Sequence, residues 1–311
     1  MPSVCVIGSA NVDYAVCALP WLPRPGETVS GGSLLVNMGG KGANQAVAAR
    51  RLGADVGLVA AIGADGAGDA VAEHLRGLGI ATEGLVRVED VATGTALIFV
   101  DAAGANQIGV APGANHHLTV EIAARHAALV HAADAVVCQL EIPAPVVQWA
   151  LAEARRHGVP TILNPAPMRE LDDALLSLVD YLTPNAVEAA ALSGVDVRDP
   201  ESARRAATGL LARGVRTVVV TLGEQGALVA TREQVAHYPA FPVAAVDTTA
   251  AGDAFTGALA VGLAAGGDLE QAIPLANAAA ALTCTKRGAQ DALPDRAEVE
   301  QFLRALKEGR A

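Results

Sequence analysis

Aromatic residues are scarce: 3% of 311 residues, in a chain that is 52% apolar. Alanine and glycine supply much of that apolar share, so helices and sheets must pack closely through small side chains. Charged residues are few as well, at 18%. A chain this apolar is not disordered. Acids outnumber bases 33 to 22, for a net charge of −11, and no run of Lys or Arg relieves it. That balance excludes an extended nucleic-acid-binding surface. An anionic ligand would need backbone N–H groups and a few local cations. The four cysteines, Cys5, Cys17, Cys138 and Cys284, are scattered without C-x-x-C spacing. Neither a zinc ribbon nor a redox pair is indicated, and Cys5 and Cys138, set in apolar runs, read as core residues. No uncharged apolar run reaches the ~18–20 residues of a membrane span. With no signal peptide ahead of the first strand, the expectation is a cytoplasmic protein with no membrane partner. Two nucleotide fingerprints are missing too. After Gly8 come Ser9, Ala10, Asn11, Val12 and Asp13, not G-x-G-x-x-G. The lysine of Gly39-Gly40-Lys41-Gly42-Ala43-Asn44 lacks Walker A spacing, and no Ser or Thr follows it.

What is present is regular alternation. The length exceeds the ~250–300 residues at which one core stops growing, so one large domain with a smaller addition is expected. Short apolar runs at Ser3–Gly8, Asp55–Ile62, Ala135–Leu140, Thr161–Leu163, Tyr181–Thr183 and Thr217–Thr221 read as strands. Helical runs stand between or after them at Ala67–Leu78, Pro145–His157, Glu201–Ala212, Asp253–Leu263 and Leu269–Thr283. Strand–helix alternation predicts a largely parallel α/β sheet with helices on both faces. Asn11, Glu141, Asn164, Asn185 and Gly223 fall at carboxyl ends of predicted strands, where such sheets bind ligands.

Residues 14–37 break the pattern. Tyr14–Ala18 and Glu27–Val36 look like short strands around a segment in which Pro20, Pro23 and Pro25 forbid a helix. Thr93–Val100 and Asn106–Ala111 look like a hairpin. Together these segments predict a small separate sheet, with one apolar face to cover a site or pair with a second subunit.

Five stretches carry chemistry. Asn11 and Asp13 alternate around Val12 and point to one side; ordinary turn chemistry would also explain them. Gly39 to Asn44 opens a helix as a small-ligand clamp, its glycines admitting close approach and Lys41 and Asn44 supplying donors. Asn185 and Glu188 share one turn, as magnesium-shell residues or as a helix capping box. Thr221 to Gly226 is a strand–turn–strand whose glycines admit a phosphate or an adenine, unless it is a plain hairpin turn. The last stretch is Val246-Asp247-Thr248-Thr249-Ala250-Ala251-Gly252-Asp253-Ala254-Phe255. Tiny residues before a helix leave N–H groups open to an anion, and the acid beside them can act as a base. An N-terminal turn that merely happens to be small is the plainer explanation.

Taken together, these motifs resemble one family. Asn11-Val-Asp13, Pro25-Gly-Glu-Thr28, Gly39 to Gln45, Asn164-Pro-Ala-Pro167, Thr183-Pro-Asn185, Thr221-Leu-Gly223, Asp247 to Asp253 and Lys286-Arg-Gly-Ala-Gln290 occur in order from Val4 to about Leu303. The chain is similar to the carbohydrate kinases that include ribokinases, adenosine kinases and fructokinases, and within them to the ribokinase branch through Gly39–Gln45 and Asn164–Pro167.

That resemblance implies a ribokinase-like fold: a large α/β domain from residues 1–13, 38–93 and 113–311, with residues 14–37 and 94–112 as a small β-sheet lid and dimerisation element. It implies transfer of phosphate from ATP to the 5-hydroxyl of D-ribose, with another acceptor (deoxyribose, another pentose or a nucleoside) as the alternative. A non-catalytic sugar sensor is the alternative outside enzymes, and an intact Asp253 argues against it. Asp253 would be the base, and the backbone of Ala250, Ala251 and Gly252 the anion hole. Asn11, Asp13, Gly39, Gly40, Lys41, Gly42, Asn44, Glu141 and Asp253 would hold the sugar. ATP would lie against Asn185, Thr221, Gly223, Gly226, Gly252 and Asn277, with Mg²⁺ near Asn185 and Glu188. K⁺ would be held by Asp247, Thr249, Thr283, Lys286, Gly288 and Ala292, where Ala292 replaces a usual Ser. An uncharged sugar suits a site of Asn, Asp, Glu and Lys. A nucleoside would want stacking partners, and the lid offers only Tyr14, Trp21 and Phe99.

Overall fold

Apolar strands and Ala-rich helices alternate as the sequence predicts. The computed structural model describes residues 1–308. The chain opens with strands β1 (Ser3–Ile7), β2 (Asn11–Leu19) and β3 (Ser33–Gly39). Helix α1 (Lys41–Arg51), β4 (Asp55–Gly63), α2 (Gly66–Gly77) and β5 (Leu85–Val88) follow. A hairpin of β6 (Gly94–Asp101) and β7 (Asn106–Ala111) comes next, then two short helices, α3 (Val120–Ala124) and α4 (Ala127–His131). The middle of the chain runs β8 (Ala135–Cys138), α5 (Ala144–Arg156), β9 (Thr161–Leu163), α6 (Asp173–Leu176) and β10 (Tyr181–Leu182). Helices α7 (Ala186–Ser193) and α8 (Pro200–Ala212) lead to β11 (Thr217–Thr221), β12 (Ala227–Ala230) and β13 (Val235–Tyr238). Helices α9 (Ala251–Ala264), α10 (Leu269–Cys284) and α11 (Arg296–Lys307) close the described chain.

Nine strands form one sheet in the order β13-β12-β11-β10-β9-β8-β1-β4-β5. From β11 to β5 every pairing is parallel, and β12 and β13 add an antiparallel edge. Alternate residues of one strand enter different cores, which shows helices on both faces. Cys5 and Ile7 pack with Val136, Cys138 and the α5 and α8 side chains. Val4 and Val6 pack with Ala135, Val137 and residues of α1, α9 and α10. Cys5 and Cys138 are buried, as expected. Each large side chain fully buried here, such as Leu58 or Ile162, contributes roughly 1.5–3 kcal/mol.

A second sheet has four strands, β3-β2-β6-β7. Its register sorts the two faces. Asp13 pairs with Asn37 and Ala96, and Ala96 with Val110, so these share the face that carries Asn11. Tyr14 pairs with Val36 and Leu97, so they and Leu34 lie on the opposite face. Leu34, Val36 and Leu97 are exposed there.

Two expectations are corrected. Asn11 and Asp13 do not end β1; they begin β2, a strand of the small sheet. The strand expected from Glu27 starts only at Ser33. Gly31 and Gly32 hold φ of 137° and 78°, and a Cβ on Gly32 would stand 2.3 Å from the Cys17 carbonyl oxygen. That pair turns the chain back before the strand can form.

Candidate active site

The site is built where α1 and α9 meet. Gly257 of α9 has no side chain, and a Cβ there would lie 2.7 Å from the Ala48 Cβ and 2.8 Å from the Gln45 carbonyl oxygen. The two helices therefore touch backbone to backbone, which brings the first turn of α1 against the first turn of α9. Asn44 donates its side-chain N–H to Asp253 Oδ2 at 3.0 Å. Gln45 donates to Asp253 Oδ1 at 2.9 Å and to Asn164 Oδ1 at 3.2 Å. Asn44 is braced in turn by Gln290 at 3.1 Å, and Asn164 donates to the Thr183 carbonyl at 3.0 Å.

Glycines seat the α1 loop on the β1–β2 connection. Gly40 has φ of 87°, and a Cβ on it would stand 2.8 Å from the Asn11 backbone nitrogen. A Cβ on Gly42 would stand 2.5 Å from that of Ser9, and one on Gly39 would stand 2.1 Å from Asp13 Oδ2. Glu141 ties the loop down: Oε2 accepts from the Lys41 N–H at 2.9 Å and from the Ser9 hydroxyl at 2.5 Å.

Asn115, which the sequence reading missed, orients Asn11. It donates to Asn11 Oδ1 at 2.7 Å and accepts from the Ala10 N–H at 3.0 Å. The amide NH₂ of Asn11 is thereby left for a ligand. Gly94 leaves the room, since its Cβ would be 2.2 Å from both amides.

Three acids crowd the loop. Burial pushes the Asp13 carboxyl up to about 6, and the charges of Glu141 and Asp253 add to the effect. No side-chain or backbone donor among the described residues bonds to the Asp13 carboxylate, so hydroxyl donors from a ligand would find it free. The charge of Asp253 holds the Lys41 ammonium above its usual range, against the effect of burial, and Glu141 and Glu188 contribute in the same direction.

The N-terminus of α9 faces the same space. Ala250 sits in the left-handed region at φ 60°, and the Ala251 N–H turns back to the Thr248 carbonyl at 3.2 Å. The N–H groups of Ala250, Gly252 and Asp253 have no acceptor among the described residues. A Cβ on Gly252 would meet nothing within 4 Å. A cavity of about 200 Å³ opens here, lined by Lys41, Asn164, Glu188, Thr248, Ala250 and Asp253 among others. A larger hollow of about 490 Å³ between Thr208–Ala212 and Thr231–Val235 contains none of these groups.

Other predicted positions fall around the cavity. Asn185 and Glu188 form a capping box on α7, bonded at 2.8 and 2.9 Å, and both also line the cavity. Burial raises the Glu188 carboxyl, opposed by the Asn185 N–H and by Lys41, with Asp253 adding to the rise. Asn185 bridges to Thr221. Gly223 and Gly226 make the β11–β12 turn at φ 59° and 91°. Asn277 is apart from the cavity wall and donates to the Tyr238 and Pro239 carbonyls at 3.4 and 3.3 Å. Asp247 accepts from the Thr249 hydroxyl at 2.7 Å, the Thr249 N–H at 2.9 Å and the Gly288 N–H at 3.0 Å. Burial opposes its ionisation, but these bonds and Arg287 outweigh it and hold the carboxyl below the usual range. The Thr283 hydroxyl is spent on the Ala279 carbonyl at 2.8 Å. Lys286 pairs its Nζ with Glu298 at 2.6 Å, and Ala292 is buried.

A second cluster lies elsewhere. His131 Nε2 meets Glu153 Oε1 at 2.7 Å, and His157 Nδ1 meets the Glu153 carbonyl at 3.0 Å. Arg156 is also on Glu153, and the His131 contact ties α4 to α5.

A buried carboxylate between two helix starts, with free N–H groups beside it, can take a proton from a hydroxyl next to a bound phosphate. The model of the pfkB family carbohydrate kinases matches residues 1–296. The chain belongs to that family. It is therefore a carbohydrate kinase, an enzyme that moves phosphate to a sugar hydroxyl. A family member from Haemophilus influenzae, named ribokinase, is 40% identical over 97% of this chain and 98% of its own. One from Salmonella typhi, named deoxyribokinase, is 38% identical over 96% of this chain and 97% of its own. The solved structure of Arabidopsis thaliana ribokinase complexed with ribose and ATP superposes with a TM-score of 0.91 at 33% identity, covering 97% of this chain and 98% of that one. Among the described residues, no helix is long and apolar enough to cross a membrane.

Proposed function

We propose that the protein transfers the γ-phosphoryl group of ATP to the 5-hydroxyl of D-ribose, giving D-ribose 5-phosphate and ADP. The observation that carries this is Asp253: a buried carboxylate held through both oxygens, at the edge of a cavity that also holds Lys41 and the open start of α9. Full-length likeness to ribokinases supports ribose as the acceptor.

The sugar would lie under the small sheet, its hydroxyls donating to Asp13 and accepting from Asn11, Asn44 and Lys41, against Gly39, Gly40 and Gly42, with Glu141 behind. Asp253 takes the proton of the 5-hydroxyl as that oxygen attacks the γ-phosphorus. A new P–O bond forms, the bond to the β-phosphate bridging oxygen breaks, and ADP leaves. The free N–H groups of Ala250, Gly252 and Asp253 lie where they can hold the charge spread over the transferring oxygens, while Ala251 shapes the turn. ATP would follow Asn185, Thr221, Gly223 and Gly226, with Asn277 supporting the end of β13.

Two ions would suit the donor atoms. Glu188 and Asn185 line the cavity with oxygen atoms suited to Mg²⁺ through its waters, and Mg²⁺ would neutralise charge on the phosphates. Asp247, Thr249, Thr283, Lys286, Gly288 and Ala292 would offer K⁺ hard oxygen donors, mostly backbone carbonyls; Ala292 can give only its carbonyl.

We take residues 14–37 and 94–112 as lid and dimerisation element and the rest as the main body; β2 crosses that boundary, and Asn11 and Asp13 reach the sugar from its start. The exposed Leu34, Val36 and Leu97, on the face away from Asp13, favour a homodimer in the cytoplasm. The 38% identity to a deoxyribokinase keeps deoxyribose as the second reading. Incubation with ATP, Mg²⁺, K⁺ and a panel of sugars separates them: ribose should stimulate ADP release more than any other acceptor, and a stronger response to deoxyribose would transfer the assignment.

A further inference from the structure

Gln45 and Gln139 are both fully buried. Gln45 Nε2 donates to Asp253 Oδ1 and to Asn164 Oδ1. Its Oε1 accepts from Gln139 Nε2 at 2.6 Å. The other end of the Gln139 amide is orphaned: Oε1 is the one buried side-chain atom among the described residues without a hydrogen-bond partner. It lies against Gly8, where a Cβ would stand 2.0 Å from it.

Each amide has two orientations, and the contacts select one. A reversed Gln45 would set its oxygen against the Asp253 carboxylate and the Asn164 oxygen, acceptors meeting acceptors. A reversed Gln139 would set its oxygen against that of Gln45, acceptor against acceptor, and its NH₂ against Gly8 with no acceptor for either N–H. Only the observed chain is consistent: Gln139 donates to Gln45, and Gln45 donates to Asp253. The buried, unpartnered oxygen is a desolvation cost that a methionine or leucine at the same place would not carry. Its presence needs a reason, and the reason lies at the far end of the chain of donors.

We propose that Gln139 is a positioning residue that acts on the base through Gln45. It fixes the Gln45 amide, so that Gln45 and Asn44, neighbours on α1, grip both oxygens of Asp253 and set the plane of its carboxylate. The inference rests on Asp253 accepting the proton of the sugar hydroxyl. Misplacing such a group by ~1 Å costs on the order of 10²-fold.

The test is a double-mutant cycle with Gln139→Met and Gln45→Met, assayed on whichever sugar the wild-type enzyme turns over fastest. A wrong choice of acceptor then shows in the sugar panel and leaves the cycle interpretable. Gln139→Met should unfold at the wild-type temperature or above and keep the sugar KM within about threefold, while kcat falls about tenfold. Gln45→Met should lose more. The double variant should match Gln45→Met alone, because Gln139 has nothing left to orient. Gln139→Leu is the second variant should Met not fold. Wild-type kcat in either folded Gln139 variant overturns the proposal. So does a loss that appears in KM, or a double variant in which the two losses multiply.

Discussion

Asn44 donates a 3.0 Å hydrogen bond to Asp253 from 209 residues away in sequence. Neither residue is in place unless α1 and α9 pack without a side chain between them. Gly257 is that gap.

Gly257→Ala should therefore weaken both fold and catalysis. The added methyl would press on Ala48 and the Gln45 carbonyl, at an overpacking cost of about 1–3 kcal/mol. Thermal unfolding should shift down, and kcat should fall further than a surface glycine such as Gly209 would cause. Wild-type kcat would mean that α1 can move without disturbing Asp253.

Asp13 gives a pH dependence with a definite sign. Its carboxyl is raised from 3.8 to about 6 in the sugar-free protein, so the fold prefers it protonated. That stabilising contribution is complete below 3.8 and is lost as pH rises through about 6. Asp13→Asn should then stabilise the sugar-free protein near pH 8 by up to about 3 kcal/mol, and the difference should vanish once the pH is well below 3.8. Sugar binding runs the other way: only the carboxylate accepts hydroxyl bonds at both oxygens, so the sugar KM should rise as pH falls below about 6. Urea titrations and KM measurements across that range check both halves.

Ala250 holds a left-handed conformation at φ 60°. A residue with a Cβ bears roughly 1–2 kcal/mol of strain there. Ala250→Gly removes it, less what the freer unfolded chain regains, and should raise stability by about 1 kcal/mol. Turnover should persist, because the backbone N–H stays. A loss of stability would show that the Ala250 methyl makes packing contacts worth more than the strain.

How far the sequence foretold this arrangement depends on the range of the interaction. Strands such as Thr161–Leu163 and Thr217–Thr221 were legible to the residue, because a continuous apolar run bounded by turn residues has few other uses. The glycine clamp and the small turn before Asp253 were legible as local patterns. Asn11 and Asp13 were placed on the wrong strand, since Ser9 and Ala10 carry no turn signal strong enough to separate β1 from β2. The short edge strands β5 and β13, each four residues with no side chain fully buried, carry no apolar alternation in sequence. Asn115, Gln45 and Gln139 could not be found by spacing. Each acts through a partner far along the chain, such as Gln139 on Gln45 across 94 residues. For Gln139 the hint was a polar residue inside an apolar run, and for Gln45 its place at the end of the glycine motif.

The proposed cation site would rest on Asp247, whose carboxylate is already fixed by Thr249 and Gly288. Initial rates should be higher in KCl than in NaCl at equal ionic strength, and Asp247→Ala should erase the difference. Equal rates in the wild-type enzyme would remove K⁺ from the account.

The most direct measurement is Asp253→Asn with ribose and ATP, read as turnover and as sugar binding on the same preparation. An asparagine keeps the size of the side chain but cannot take a proton. Turnover should fall by at least the roughly 10²–10⁴-fold that base catalysis contributes, while calorimetry finds ribose bound within a few-fold of wild type. Turnover near the wild-type rate would contradict the assignment of Asp253 as the base.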